Sequence, residues 1–281
     1  MIPSRKYLKT PIREGHTIHM LEVECVIFRI IINFQKGTEE DPEADIPMHF
    51  SVRWDEGIFS GKLVYNSRTN GNWTENEQRL SNPFKAGGEF DLRIRVVNGK
   101  LEIYGNREYL GSFTQNKPLD EIGFVLIDGD LSVLRLFHYG GIVFSLPYHG
   151  AVQLVPGKRL DVSAMPQGKR VDIELYNKKK QCVLQISIRY KEGAIVRNAL
   201  IGDNWGDEER TGGFPLNQNR VFDLTLVNEP FSYQIYFNGK HFASFAHRTS
   251  PEDIEVLKID GKAEIQFITL NSADNSEHTL F

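Results

Sequence analysis

The chain repeats itself once, and that repeat limits what it can fold into. Tyr104-Gly105-Asn106 returns as Tyr236-Phe237-Asn238, Leu110-Gly111-Ser112-Phe113 as Phe242-Ala243-Ser244-Phe245, and Asp91-Leu92-Arg93-Ile94 as Asp223-Leu224-Thr225-Leu226, all at an offset of 132. Asn66/Asn198 and Trp73/Trp205 keep the same offset. Glu77/Glu208 and Arg79/Arg210 stand 131 apart, because the first copy has one extra residue after its Trp. Arg53/Arg189 stand 136 apart, because the second copy has a shorter loop before its Asn. A steady offset with small length changes at turns marks an internal duplication. Each copy is of ordinary domain size, roughly 130 residues. The seam falls near Gly140-Gly141, with no Ser/Gly-rich or Pro-rich spacer. Two domains are therefore expected, 1–142 and 143–281, with a polar tail over 272–281 that frays.

Within each copy the hydrophobic period is two. Phe90 to Val96 alternates apolar and polar residues, as do Leu101-Glu102-Ile103-Tyr104, Val171 to Leu175, Val183 to Ile188 and Phe222 to Leu226. Asn98-Gly99 and Asn238-Gly239 supply tight hairpin turns. No window of helical period competes; Pro118 to Glu121 and Pro251 to Ile254 offer one helical turn each at most. The run Val26 to Ile32, broken by Arg29, reads as a buried strand and is far too short to span a bilayer. Many short antiparallel strands with polar turns predict an all-β fold, a sandwich or barrel in each half.

With 33 Lys and Arg against 37 Asp and Glu, the net charge is −4, which favours neither nucleic acid nor an anionic membrane surface. Two cysteines, Cys25 and Cys182, make no disulfide framework and read as free thiols of a reducing compartment. The first residues, Met1 to Lys6, lack the apolar core of a signal peptide, so a cytoplasmic protein is expected.

The duplicated chemistry is Trp73-Thr74-Glu75-Asn76-Glu77-Gln78-Arg79 and Trp205-Gly206-Asp207-Glu208-Glu209-Arg210. Each Trp lies seven residues after an Asn, Asn66 or Asn198, and each Asn lies downstream of an Arg, Arg53 or Arg189. An indole offers a flat apolar face; Glu and Arg offer acceptors and a planar fork of donors. Placed at i and i+2 on a strand, Glu and Arg share one face. A pyranose ring, with one C–H face and a rim of hydroxyls, fits such a set.

Competing chemistries fare worse. His16 and His19, three apart on a strand, point to opposite faces and do not share a metal. Glu75, Glu77, Glu208 and Glu209 could suggest a glycosidase. An Arg beside the motif carboxylates lowers their pKa and disfavours a general acid, so no enzyme is expected. Gly87-Gly88 and Gly140-Gly141 are turns rather than phosphate cradles, and Lys178-Lys179-Lys180 is a solvated hairpin tip. Cys182 is expected on a strand, in the core or lining a groove.

These residues resemble the galectins, in particular tandem-repeat galectins of invertebrates. The family pattern is His-x-Asn-Pro-Arg on one strand, Val-x-Asn on the next, then Trp-x-x-Glu-x-Arg. The first copy matches with His49, Arg53, Val64-Tyr65-Asn66, Trp73, Glu77 and Arg79, and has Ser51-Val52 for Asn-Pro. The second matches with Arg189, Val196-Arg197-Asn198, Trp205, Glu208 and Arg210, with Gln185 at the His position and Ser187-Ile188 for Asn-Pro. Glu14 to Ile18 and Val155 to Leu160 resemble the opening strand, and Asn82-Pro83-Phe84 and Phe214-Pro215-Leu216 follow each Arg as the family would have it.

The resemblance implies two jelly-roll sandwiches in tandem and a bivalent, metal-independent lectin with β-galactoside-containing glycans as partners and no cofactor. It implies sugar contact at His49, Ser51, Arg53, Asn66, Trp73, Glu77 and Arg79, and at Gln185, Ser187, Arg189, Asn198, Trp205, Glu208 and Arg210. Galectins are made without a signal peptide and also occur outside cells, so export without a leader is compatible with this chain. Ser51 lacks the amide of the usual Asn; one lost hydrogen bond is worth about 0.5–1.5 kcal/mol. The extra residue before Glu77 is expected to shift that carboxylate. Gln185, Ser187 and the shorter second loop predict altered galactose preference in the second copy. A galectin-like scaffold with drifted sites, used for protein–protein contact, is the alternative.

Overall fold

A computed structural model describes residues 4–22, 25–56, 61–131 and 134–273. The chain divides into two compact units, Met1–Ile142 and Val143–Phe281. The described residues of the first hold β1 (Ser4–Tyr7), β2 (Thr17–Glu22), β3 (Cys25–Lys36), β4 (Ile46–Arg53), β5 (Lys62–Thr69), β6 (Asn72–Trp73), β7 (Gln78–Ser81), β8 (Phe90–Val97), β9 (Lys100–Gly105), β10 (Glu108–Thr114), β11 (Ile122–Leu131) and β12 (Leu136–Gly140). Those of the second hold β13 (Tyr148–Ala151), β14 (Lys158–Asn177), β15 (Cys182–Arg189), β16 (Ala194–Ile201), β17 (Asn204–Trp205), β18 (Phe222–Asn228), β19 (Ser232–Phe237), β20 (Lys240–Ala246) and β21 (Ile254–Ser272).

The first unit is a sandwich. One sheet runs β1-β11-β3-β4-β5-β6, with β7 also beside β5; the other runs β10-β9-β8-β2-β12. The period-two pattern explains the layering. Ile30, Ile32, Phe34, Phe50, Val52, Leu63 and Tyr65 of the first sheet meet Ile18, Met20, Leu92, Ile94, Leu101 and Ile103 of the second in one buried core. The alternate residues of β3, β4 and β5 point to the outer face, where the candidate residues stand. Asn98 and Gly99 adopt φ of 53° and 68°, the left-handed pair that a two-residue hairpin between β8 and β9 needs.

In the second unit the two layers form one hydrogen-bonded ladder. Its order is β17-β16-β15-β14-β18-β19-β20, with β21 beside β14 and β13 beside β21. β14 pairs with β18 through Lys158–Ala164 and with β15 through Arg170–Tyr176, so one strand serves both layers. Leu160, Val162, Ile173, Leu175, Ile186, Ile188, Leu224 and Ile235 share the core.

Pro118 to Glu121 and Pro251 to Glu252 form bends and turns without helix. Ser272 belongs to β21 and Ala273 is a turn; residues 274–281, the rest of the expected tail, lie outside those described. His19 binds Asp91 at 2.9 Å on β2, while His16 precedes that strand, so the two do not converge. Cys182 is buried, and burial pushes its thiol up to about 12, which makes it unreactive. The side chain of Cys25, like those of Val26 to Phe28, falls outside what is described.

Candidate functional site

Strand register assembles the first cluster. Asn33 of β3, His49 of β4 and Asn66 of β5 stand in one cross-strand row; Ile31, Ser51 and Val64 form the next, with Arg79 of β7 beside Val64. Together with Arg29, Arg53, Trp73 and Glu77, members of these rows line an open groove of about 430 Å³. Trp73, on the two-residue strand β6, is 46% exposed and so keeps a free aromatic face. Its ring lies 4.7 Å from His49, edge on, and 5.9 Å from the Arg68 guanidinium.

Each polar group is held by a second one. Arg53 donates from Nε to Ser51 Oγ at 3.2 Å, from Nη1 to Glu56 at 2.7 Å and from Nη2 to Glu77 at 3.4 Å. Arg79 bridges the same two carboxylates, 2.9 Å from Glu56 and 2.5 Å from Glu77. Among the described residues these bonds engage three of the five N–H groups of Arg53. Ser51 accepts from Arg53 and so keeps its own O–H to donate. Burial, reinforced by the charges of Arg53, Arg29 and Arg68, lowers the His49 pKa to about 4 and keeps the ring neutral near pH 7. Asn33 Oδ1 faces His49 Nδ1 at 2.6 Å and can only accept, so the proton sits on Nδ1 and Nε2 is left as an acceptor.

The second cluster repeats this plan with other side chains. Glu174, Gln185 and Asn198 form one row; Asp172, Ser187 and Val196 form the next. Arg189 donates to Ser187 at 3.1 Å, to Glu192 at 3.5 Å and to Glu208 at 2.8 Å. Arg210 closes the square, 2.8 Å from Glu208 and 3.0 Å from Glu192. These arginines hold the Glu208 carboxyl below its ordinary range. Trp205 is 48% exposed. Gln185 donates its amide to Glu174 at 2.7 Å, which leaves its carbonyl oxygen as an acceptor where His49 Nε2 stands in the first unit. Glu174 also accepts from Tyr176 at 2.9 Å and pairs with Lys258 at 3.2 Å.

All seven expected residues of each copy thus come together on one sheet face. Two expectations need adjustment. Only Arg79 of the Glu–Arg pairs lies on a named strand; Glu77 precedes β7, and Glu208 and Arg210 flank Glu209, whose isolated bridge to Arg197 keeps the segment extended. The extra residue after Trp73 leaves Glu77 in the cluster, with its contact to the upstream Arg at 3.4 Å against 2.8 Å for Glu208. Glu56 and Glu192 are the functional candidates that the motif missed. Each lies three residues after its Arg, at the same 136-residue offset as Arg53/Arg189, and that coincidence was available in the sequence. Asn33 and Glu174 were not recognisable without register.

A flat indole, fixed guanidinium donors, neutral acceptors and carboxylates around a shallow groove suit a ligand with one apolar face and many hydroxyls. The family model for galactoside-binding lectins matches residues 7–138 and again 147–270. The chain belongs to the galectin family. Two relatives are named 32 kDa beta-galactoside-binding lectin: that of Caenorhabditis elegans is 36% identical over 86% of this chain and 86% of its own length, and that of Haemonchus contortus is 34% identical over 96% and 95%. The crystal structure of Caenorhabditis elegans galectin LEC-6 aligns over 46% of this chain and 93% of that one, at 29% identity and a TM-score of 0.44. Galectins are lectins and not enzymes, and β-galactoside glycans are the partners the family implies. This galectin carries its two lectin domains in tandem. No helix among the described residues is long and apolar enough to cross a membrane.

Proposed function

We propose that each unit binds a β-galactoside at its Trp–Arg–Glu cluster without a metal or cofactor, so that one chain bridges two glycans. The observation that carries this is the same in both units. A half-exposed indole stands on the same sheet as an arginine held in place by a serine and two carboxylates. The sugar's apolar face packs on Trp73 or Trp205. His49 Nε2 or the Gln185 carbonyl accepts from a ring hydroxyl, and Arg53 or Arg189 donates to ring oxygens. Asn66, Asn198 and the carboxylates of Glu77 and Glu208 complete the rim.

The two clusters differ in charge. Where the first places Ile31 and Asn33, the second places Asp172 and Glu174. We infer a different glycan preference at the second groove, with sulfated or carboxylated galactosides favouring the first.

The test is retention on a galactoside resin and lactose titration watched by indole fluorescence, in the full chain and in Trp73→Ala and Trp205→Ala. Each single variant should keep one binding event and the double variant none. A folded chain that neither binds the resin nor responds to lactose, while retaining protein partners in saturating lactose, would establish the scaffold alternative instead.

A further inference from the structure

The side-chain amide of the groove asparagine has to be oriented before it can read a hydroxyl, and the two units do this with different residues. In the first, Asn66 Oδ1 accepts from the Ser67 N–H at 2.8 Å and from the Thr74 hydroxyl, and Nδ2 donates to the Thr74 carbonyl at 3.2 Å. In the second, Asn198 Oδ1 accepts from the Ala199 N–H at 2.8 Å, and Nδ2 donates to the Gly206 carbonyl at 2.8 Å. The residue after the Trp is now glycine and has no hydroxyl to give. Arg248 fills the gap. It follows β20, fifty residues from Asn198, and its Nη1 donates to Asn198 Oδ1 at 2.9 Å. Its Nη2 donates to the Asp207 carbonyl at 3.1 Å and to Glu209 at 3.3 Å, and its guanidinium lies 4.8 Å from the Phe245 ring.

Gly206 and Arg248 are coupled sterically. A Cβ at Gly206 would stand 2.1 Å from Arg248 Nη1. Thr74 and Gly206 occupy equivalent backbone positions, since their N–H groups donate to Ser67 and Ala199 carbonyls at 3.0 Å each. At the position matching Arg248 the first unit has Asn116, which accepts from Gln78, while the Asn66 amide is held by Ser67 and Thr74.

Resting on the galactoside-binding role proposed above, we infer that Arg248 is a positioning residue of the second groove. It holds Asn198 Oδ1 so that the remaining Nδ2–H faces the ligand, and it ties the Trp205–Glu209 loop to the same point. The pair Gly206 and Arg248 is interchangeable with a single Thr, as in the first unit. A charge-assisted bond to an amide oxygen is stronger than a neutral one, so its loss is not compensated by water alone.

The experiment uses the full chain with Trp73→Ala, which leaves Trp205 to report. Arg248→Ala should weaken lactose binding by about tenfold, the size expected for one charge-assisted hydrogen bond. Adding Gly206→Thr to Arg248→Ala should return the affinity to within about threefold of the parent, because the threonine hydroxyl then occupies the place Arg248 vacates. The Asn198 side-chain amide signals, assigned by NMR, should be well dispersed in the parent, collapse in Arg248→Ala and recover in the double variant. Unchanged affinity and unchanged Asn198 signals in Arg248→Ala would overturn the inference. So would a folded double variant as weak as Arg248→Ala, since the arginine would then act on the loop and not on the amide. If the parent itself ignores lactose, the galactoside assignment of the groove fails, and the Asn198 signals still decide whether Arg248 sets the amide.

Discussion

His49 and Gln185 occupy matching positions and offer a ligand the same thing, a lone pair, but only one of them titrates. The His49 pKa is about 4 in the fold, because burial and the neighbouring arginines penalise the imidazolium; unfolded it lies near 6.5. The unfolded chain therefore takes up the proton first as pH falls. The stability from a neutral His49 is fully present above about pH 6.5 and is lost progressively toward pH 4, by an amount of order 3 kcal/mol. Protonation also turns Nε2 from acceptor to donor. Lactose affinity at the first groove should hold steady from pH 8 to about 5 and fall toward 4, while the Gln185 position shows no matching transition; Trp-resolved titrations across pH check this. At this scale the sequence was informative where chemistry repeats and silent where geometry decides. Trp73, Arg53, Glu77 and their partners declared themselves by duplication. Asn33 and Glu174, which set what His49 and Gln185 present, sit 16 and 11 residues away in sequence and meet them only through strand register. Arg248 is more distant still.

Elements explain why the loops matter as much as the strands. β4 and β15 aim His49, Ser51 and Arg53, or Gln185, Ser187 and Arg189, by alternation alone, and that much follows from a period of two. The carboxylates come from segments between strands, where periodicity says nothing. Glu192, after β15, joins Arg189 to Arg210. Removing it in Glu192→Ala leaves both guanidinium groups without one anchor. Lactose affinity at the second groove should drop several-fold, with thermal stability changed by less than about 1 kcal/mol, as expected of an exposed ion pair. Calorimetric titration and melting separate the two effects. The hairpin at Asn98-Gly99 supplies a structural counterpart. Gly99 has φ of 68° and open space where a Cβ would go, so Gly99→Ala meets only the backbone penalty. Urea unfolding should show a loss of about 1–2 kcal/mol with lactose binding unchanged.

At the scale of the molecule, duplication is the feature most visible in the sequence and the one with the largest effect on behaviour. Under the reading proposed above, two binding clusters on one chain would cross-link glycans without any new contact. Agglutination of galactoside-coated beads should disappear in either Trp73→Ala or Trp205→Ala, although each single variant is still retained on a galactoside column. Loss of retention together with agglutination in a single variant would mean that one groove alone carries the binding. What the duplication did not reveal is how the two layers of one unit are joined. In the second unit β14 and β21 pass through both layers, so the sheet bearing Arg189 and the sheet behind it share a continuous ladder. The two layers are therefore expected to open together. Deuterium should enter the amides of Val162 and Ile173, on the two stretches of β14, at one common rate governed by whole-unit opening, and occupancy of the groove should slow both alike. A sugar held on one surface would then protect the opposite one from proteases.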